Sequence, residues 1–345
     1  NRSGYFISLN RNKKSLVLNL KQKRGKEILE ELIRVSDVLV ENFRPGTMKD
    51  LGFGWEEVHH LNPEIVYASI SGFGHETLPD YTSRPAYDII AQAYSGLMSL
   101  TGPEQGPPCR VGSSLGDIIA GYQAAIGILA ALIYRTLTGN GQWYDGAMVD
   151  GLLSIMENAI VRYTVEGEIP GALGTAHPSI TPFQAFPTRD SWIVIAIGSD
   201  RFWPCFCTTI GRTDLIEDSR FRTNILRTKN REILVNILSK EMTKRTTTDW
   251  ADIFEKEGIP YSPVNNIKQI CEDPYIQFRN MLVEIEQTGI GKMKIAGSPF
   301  RLSETPGCVY RGAPALGEHT TEILSSLLKK TEAEILSLKN DGVIN

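Results

Sequence analysis

The chain has 345 residues, enough for two lobes or one elaborate domain, and its 41% hydrophobic and 22% charged content is that of a soluble globular protein. With 36 basic and 40 acidic residues the net charge is −4, which argues against a nucleic-acid or anionic-membrane partner, since either needs a basic surface. The five cysteines (Cys109, Cys205, Cys207, Cys271 and Cys308) are odd in number and scattered, so they read as free, buried thiols. Cys205 and Cys207 lack the further soft ligands a metal would need.

The N-terminal residue is Asn1, no signal peptide is visible, and the longest apolar stretch, residues 124–134, is shorter than a bilayer span. The expectation is a cytoplasmic protein with an incomplete N-terminus. Residues 15–20 alternate, with Leu16, Leu18 and Leu20 on one face, which is the period of a strand. Residues 25–35 place Ile28, Leu29, Leu32 and Ile33 at helical spacing. A short apolar run at 37–40 ends at Asn42-Phe43-Arg44-Pro45-Gly46. After a polar helical stretch, residues 65–70 form another strand, closed by Ser71-Gly72-Phe73-Gly74. This alternation predicts a parallel sheet with crossover helices. Ligands of such sheets sit beyond the carboxyl ends of the strands, so the loops at 41–46 and 71–88 are candidate binding loops.

Gly116-Asp117 opens a helix through residue 137 that is rich in small residues (Ala120, Gly121, Ala124, Ala125, Gly127, Ala130, Ala131). Such a helix is expected to be buried on most sides. It stops at Thr138-Gly139-Asn140-Gly141. A second region starts near Gly146, with a helix at 148–166, a Gly/Pro loop at 167–182 and a strand at 192–197. Amphipathic helices follow over 219–254, then strand entries at 258–264 and 292–295.

Asp117 at a helix start admits two readings. Aspartate is among the best N-cap residues and needs no further job. The positive helix end also favours an ionised carboxylate, the form that attacks an acyl carbon. Arg11, Lys13, Lys14, Lys21, Lys23 and Arg24 cluster near the start, either as a solvated face or as a phosphate-binding patch. His177 lies in a loop beside Pro178, where a structural role is the ordinary one. A P-loop signature does not occur.

The ordered motifs resemble the class III CoA-transferase family, which includes formyl-CoA, carnitine and dicarboxylate CoA-transferases. They are Leu9-Asn10-Arg11-Asn12-Lys13-Lys14-Ser15-Leu16, Val40-Glu41-Asn42-Phe43-Arg44-Pro45-Gly46 and Ser69-Ile70-Ser71-Gly72-Phe73-Gly74. Arg84-Pro85-Ala86-Tyr87-Asp88, Gly116-Asp117 with Gly121, and Thr138-Gly139-Asn140-Gly141-Gln142 follow. Gly258-Ile259-Pro260, Gly297-Ser298-Pro299 and Leu316-Gly317-Glu318-His319-Thr320 complete the series.

The resemblance implies an α/β fold: a Rossmann-like large domain with a parallel sheet, plus a smaller α+β domain, in an interlocked homodimer. On that frame residues 1–150 form the large CoA-binding domain, 151–185 a linker, 186–290 the small domain and 291–345 a return to the first. It implies Asp117 as nucleophile and CoA contacts at Leu18, Asn19, Leu20, Lys21, Asn42, Phe43, Arg44, Tyr87 and Asp88. The substrates would be an acyl-CoA and a small carboxylic acid, with no cofactor besides coenzyme A itself. The family's first strand–helix unit, which carries adenine and phosphate contacts, has no counterpart here, so the resemblance implies an N-terminally shortened chain. The stretch 171–183 lacks the long glycine run of formyl-CoA transferases and is similar to the dicarboxylate branch, notably at Gly174-Thr175-Ala176-His177.

Two alternatives accompany this reading. The related α-methylacyl-CoA racemases need two opposed acid–base groups, one of them a histidine just before an aspartate. Tyr87 stands in that place, and a phenol, ionising near pH 10, is a poor base at neutral pH. The other alternative is a CoA-binding remnant without activity.

Overall fold

The computed structural model describes residues 3–345 and divides into two units. The first is built from the described residues up to Ser95, from Ser113–Met156 and from Ile270–Asn345; the second takes Gly96–Gly112 and Glu157–Gln269.

In the first unit a parallel sheet has the order β1 (Val38–Glu41), β2 (Val66–Ser71), β3 (Trp143–Ala147), with Val38 opposite Val66 and Tyr67 opposite Trp143. Val66, Tyr67, Ala68 and Ser69 on the central strand are all buried, as a strand covered on both faces must be. Helices Thr47–Leu51 and Trp55–Leu61 connect β1 to β2, and the long helix Leu115–Thr138 leads into β3. This is the expected parallel α/β arrangement. β3 is a strand the sequence did not announce. Its Trp-Tyr-Asp-Gly-Ala run includes two weak strand formers, Asp145 and Gly146, and its place is set by pairing with β2.

Residues 15–20, expected as a strand, are extended but join no sheet. Their amides go to the C-terminal segment: Ser15 N–H to His319 Nδ1, Val17 N–H to Thr320 Oγ1 and Asn19 N–H to the Val343 carbonyl. The alternation reported burial, not a ladder. Leu16 and Leu18 pack against a cluster of Ile28, Leu324, Ile335, Leu338 and Val343.

The long helix is not buried on most sides. Gly116, Ala120, Ala124 and Ala131 are its buried line, and a Cβ at Gly127 would lie 2.5 Å from the Tyr144 ring. The small residues allow close approach on that side alone. Ile118, Tyr122, Ile126, Leu129, Ile133 and Leu137 are exposed. By length and composition the helix could cross a bilayer, although the unbroken apolar run within it, residues 124–134, is shorter than a span. In this fold it packs on β2, β3 and the helices Asp88–Tyr94 and Met148–Ser154.

In the second unit β4 (Phe183–Pro187), β5 (Trp192–Ala196) and β6 (Tyr261–Pro263) form an antiparallel sheet. Phe186, Ile193 and Ile195 meet Trp203, Phe206, Leu234, Leu238, Trp250 and Phe254 in one sealed core. The expected single helix at 148–166 is two, Met148–Ser154 and Ala159–Glu166. They are parted near Glu157, which has a positive φ of 47° and begins a segment of the second unit. Cys207 is buried as expected, whereas Cys205 is exposed. The hairpin β7 (Leu282–Gln287) and β8 (Gly291–Ala296) belongs to the first unit.

Candidate active site

The carboxyl ends of β1, β2 and β3 open into loops that two carboxylates fasten. Glu41, the last residue of β1, is buried, and its Oε2 accepts the Phe43 amide at 2.8 Å. Its Oε1 faces His75 Nε2 at 3.5 Å, and neither atom has another partner among the described residues. Asp145 in β3 accepts the amides of His75 and Glu76 at 2.7–2.9 Å. Beyond the Glu41 anchor Asn42, Phe43 and Arg44 are exposed, a loop with a fixed base and exposed tips. The sequence singled out the tips and placed Glu41 and His75 within candidate loops, but showed neither their anchoring roles nor Asp145. An aspartate inside a strand was the available signal, because it disfavours the ladder unless its carboxylate serves a neighbouring loop.

Tyr87 is 80% exposed and precedes the helix Asp88–Tyr94. Asp88 behaves differently. It is buried, accepts both hydrogen bonds from Gln92 Nε2 (3.0 and 2.8 Å), and takes the Gly116 amide at 2.8 Å. A Cβ at Gly116 would stand 3.2 Å from Asp88 Oδ1 and 3.4 Å from Leu152 Cδ1, so glycine is what permits the approach. Asp88 thus clamps the residue next to Asp117, a task its place in the motif does not reveal.

Asp117 is not the N-cap; Ser114 is, and Asp117 is the third residue of the helix. Its carboxylate is exposed and accepts no hydrogen bond among the described residues. The helix end favours ionisation, but partial burial, and after it the negative charge of Asp88, raise its pKa above the ordinary carboxylate value. A carboxylate of raised pKa holds its electron pair less tightly and is the better nucleophile once ionised.

Leu18, Asn19, Leu20 and Lys21 lie where the chain meets its C-terminal segment. Leu18 packs into that cluster, Asn19 Oδ1 accepts the Lys21 amide, and Lys21 is exposed. Of the basic cluster, Lys14 pairs with Glu322, Arg24 with Asp341 and Lys23 with Glu27, so half of it is a solvated, charge-paired face. His177, in the second unit, is half-buried; its Nδ1 accepts the Ser179 amide and its ring tilts against Phe183. That is a structural arrangement.

A sequence profile described as CoA-transferase family III matches residues 1–320. The chain is 37% identical to succinyl-CoA:glutarate CoA-transferase of Homo sapiens over 99% of its length and 78% of that protein. It is 39% identical to acetyl-CoA:oxalate CoA-transferase of Acetobacter aceti over 91% of its length and 79% of that protein. Among solved structures, a CAIB/BAIF family protein from Brucella suis superposes with a TM-score of 0.82 at 34% identity, covering 94% of this chain and 84% of that one.

Proposed function

This chain belongs to CoA-transferase family III, and from that premise we propose that Asp117 carries CoA covalently between an acyl thioester and a dicarboxylic acid. The Asp117 carboxylate attacks the thioester carbonyl carbon, the C–S bond breaks, and CoA leaves as the thiolate, giving a mixed anhydride. The thiolate then attacks the Asp117 carbonyl, which releases the donor acid and leaves an aspartyl-CoA thioester. The acceptor carboxylate attacks that thioester carbonyl and expels CoA thiolate. The thiolate finally attacks the acceptor's acyl carbon in the second anhydride and returns Asp117 to its carboxylate. Every bond broken is matched by one formed, so the thioester's free energy is kept and no cofactor besides coenzyme A is called for.

The observation that carries this reading is the state of Asp117. The residue is exposed, its carboxylate accepts no hydrogen bond among the described residues and is raised in pKa by partial burial and by Asp88, and the adjacent amide is held by Asp88. Asn42, Phe43, Arg44 and Tyr87 are the exposed groups proposed to receive CoA, together with Lys21 and its neighbours Leu18, Asn19 and Leu20. In this reading Asp88 serves as the clamp rather than as a direct contact. A dicarboxylate as acceptor is supported by the relatives named for glutarate and oxalate. The racemase alternative is disfavoured by Tyr87, which offers a phenol where an imidazole base is needed.

A homodimer belongs to the same proposal. The exposed line Ile118, Tyr122, Ile126, Leu129, Ile133 and Leu137 is an apolar strip on one helix, of the kind a second copy covers. A cytoplasmic location is proposed with it.

The test is Asp117→Ala. Transfer of CoA from succinyl-CoA to glutarate should fall by at least about 10³-fold in kcat, as loss of a covalent nucleophile does, with the thermal transition unmoved. Retention of full transfer activity would overturn the proposal.

A further inference from the structure

Arg84 lies in the loop between β2 and the helix Asp88–Tyr94 and is exposed. An exposed arginine can pair with a carboxylate, as Arg220 does with Asp218 at 2.6 Å. Arg84 has no ion pair or side-chain hydrogen bond among the described residues. Three aromatic rings surround it instead. Its guanidinium carbon is 5.1 Å from the centroid of Phe73, 5.5 Å from Tyr81 and 5.0 Å from Tyr94. The rings brace one another: Phe73 meets Tyr94 edge-on at 5.0 Å and Tyr81 at 5.3 Å, and the Tyr94 hydroxyl donates to the Tyr81 hydroxyl at 2.9 Å.

Rings attract a guanidinium through their faces without neutralising it. They fix its position and leave its charge and its N–H edges unspent. Carboxylates and phosphates are the groups that match that edge, through two parallel N–H···O bonds. Immobilising the side chain beforehand removes the rotamer entropy an anion would otherwise have to offset.

The placement fits. Phe73 follows the carboxyl end of β2, where ligands of a parallel sheet bind. Tyr94 stands on the helix whose Asp88 clamps Gly116 beside Asp117. Arg84 itself is three residues before the exposed Tyr87.

We propose that Arg84, caged by Phe73, Tyr81 and Tyr94, is a substrate-binding residue that takes an oxyanion of a substrate on the free edge of its guanidinium. The oxyanion is either the non-reacting carboxylate of the acid or a phosphate of CoA. The inference rests on the transferase reading above and adds to it a recognition group outside the nucleophile.

The experiment uses Arg84→Gln and Arg84→Lys in the full chain, with succinyl-CoA as donor and glutarate as acceptor, beside the affinity for free CoA, which carries no carboxylate. If the anion is the acid's carboxylate, Arg84→Gln raises the KM for glutarate by about 30-fold while kcat and the Kd for CoA stay within about 3-fold, the scale of one charge-assisted bidentate contact. If it is a phosphate, the Kd for CoA rises by about that factor instead. In either case Arg84→Lys, which keeps the charge and loses the fork, recovers part of the loss. A folded Arg84→Gln whose glutarate KM and CoA Kd both stay within about 3-fold of the parent overturns the inference, even if its thermal stability falls, because a purely structural cage moves stability alone. An inactive parent chain would instead count against the transferase reading, and the CoA arm would still decide the phosphate source.

Discussion

In the second unit Phe206, Phe221 and Phe254 are fully sealed and Trp203 is 1% exposed. Phe254 alone meets the rings of Trp250, Phe206 and Tyr261 at 5.3–6.2 Å. At the start of the long helix the arrangement is reversed. Glycine and alanine make the internal contacts, the large side chains face outward, and a carboxylate stands open in the first turn. One region buries its apolar mass and exposes little that could react. The other gives up that burial, which at roughly 25 cal/mol per Å² is a substantial sacrifice, and presents the proposed nucleophile beside an amide that Asp88 holds. With Asp117 as the proposed nucleophile, the second unit's core would serve stability and the start of the long helix chemistry, with Asp88 serving both.

Four variants test that contrast. Phe254→Ala should cost about 3–5 kcal/mol of stability, the usual loss for an aromatic removed from a packed core. Measured by denaturant unfolding, it should leave kcat per folded molecule unchanged. A large loss of kcat in the folded fraction would show that the core of the second unit also serves the chemistry. Asp88→Ala should cost less, about 1–3 kcal/mol, by leaving the buried Gly116 amide without its acceptor. Unlike Phe254→Ala it should also lower kcat, because the support of Asp117 loosens. Asp88→Asn keeps an acceptor oxygen for the amide and should recover most of both losses. If Asp88→Ala alters stability and leaves kcat untouched, the clamp has no catalytic consequence. Asp117→Ala completes the set at the small end of the stability scale, since an exposed carboxylate without hydrogen bonds holds little of the fold together.

Much of the fold was legible. β1, β2 and β5 are apolar runs bounded by breakers, and the parallel order follows from the strand–helix alternation. What escaped was fixed by tertiary partners. Residues 15–20 carry a strand's alternation, yet their amides are taken by His319, Thr320 and Val343, some 300 residues away in sequence. β3 contains two weak strand formers, Asp145 and Gly146, and is held by β2 and by the loop that Asp145 fastens. In the long helix, composition predicted burial, but the residues that pack are the small ones, and composition does not say which face they occupy.

The candidate site shows the same division. Asp117, Tyr87 and the tips Asn42, Phe43 and Arg44 could be named because short motifs carry them. Their supporting contacts could not, because Glu41 to His75, Asp145 to Glu76 and Asp88 to Gly116 span sequence gaps of 28 to 69 residues that no periodicity records. Arg84 sits inside a motif that could be quoted, but only the three rings around it distinguish it from any other surface arginine.

The central claim is that Asp117 forms a covalent bond during turnover. The most direct measurement is mass spectrometry of the chain incubated with succinyl-CoA and then treated with hydroxylamine, which converts an activated carboxyl to a hydroxamate. The account predicts one hydroxamate, on Asp117, formed only when the acyl-CoA is present. Turnover of CoA between acids with Asp117 unmodified would contradict it.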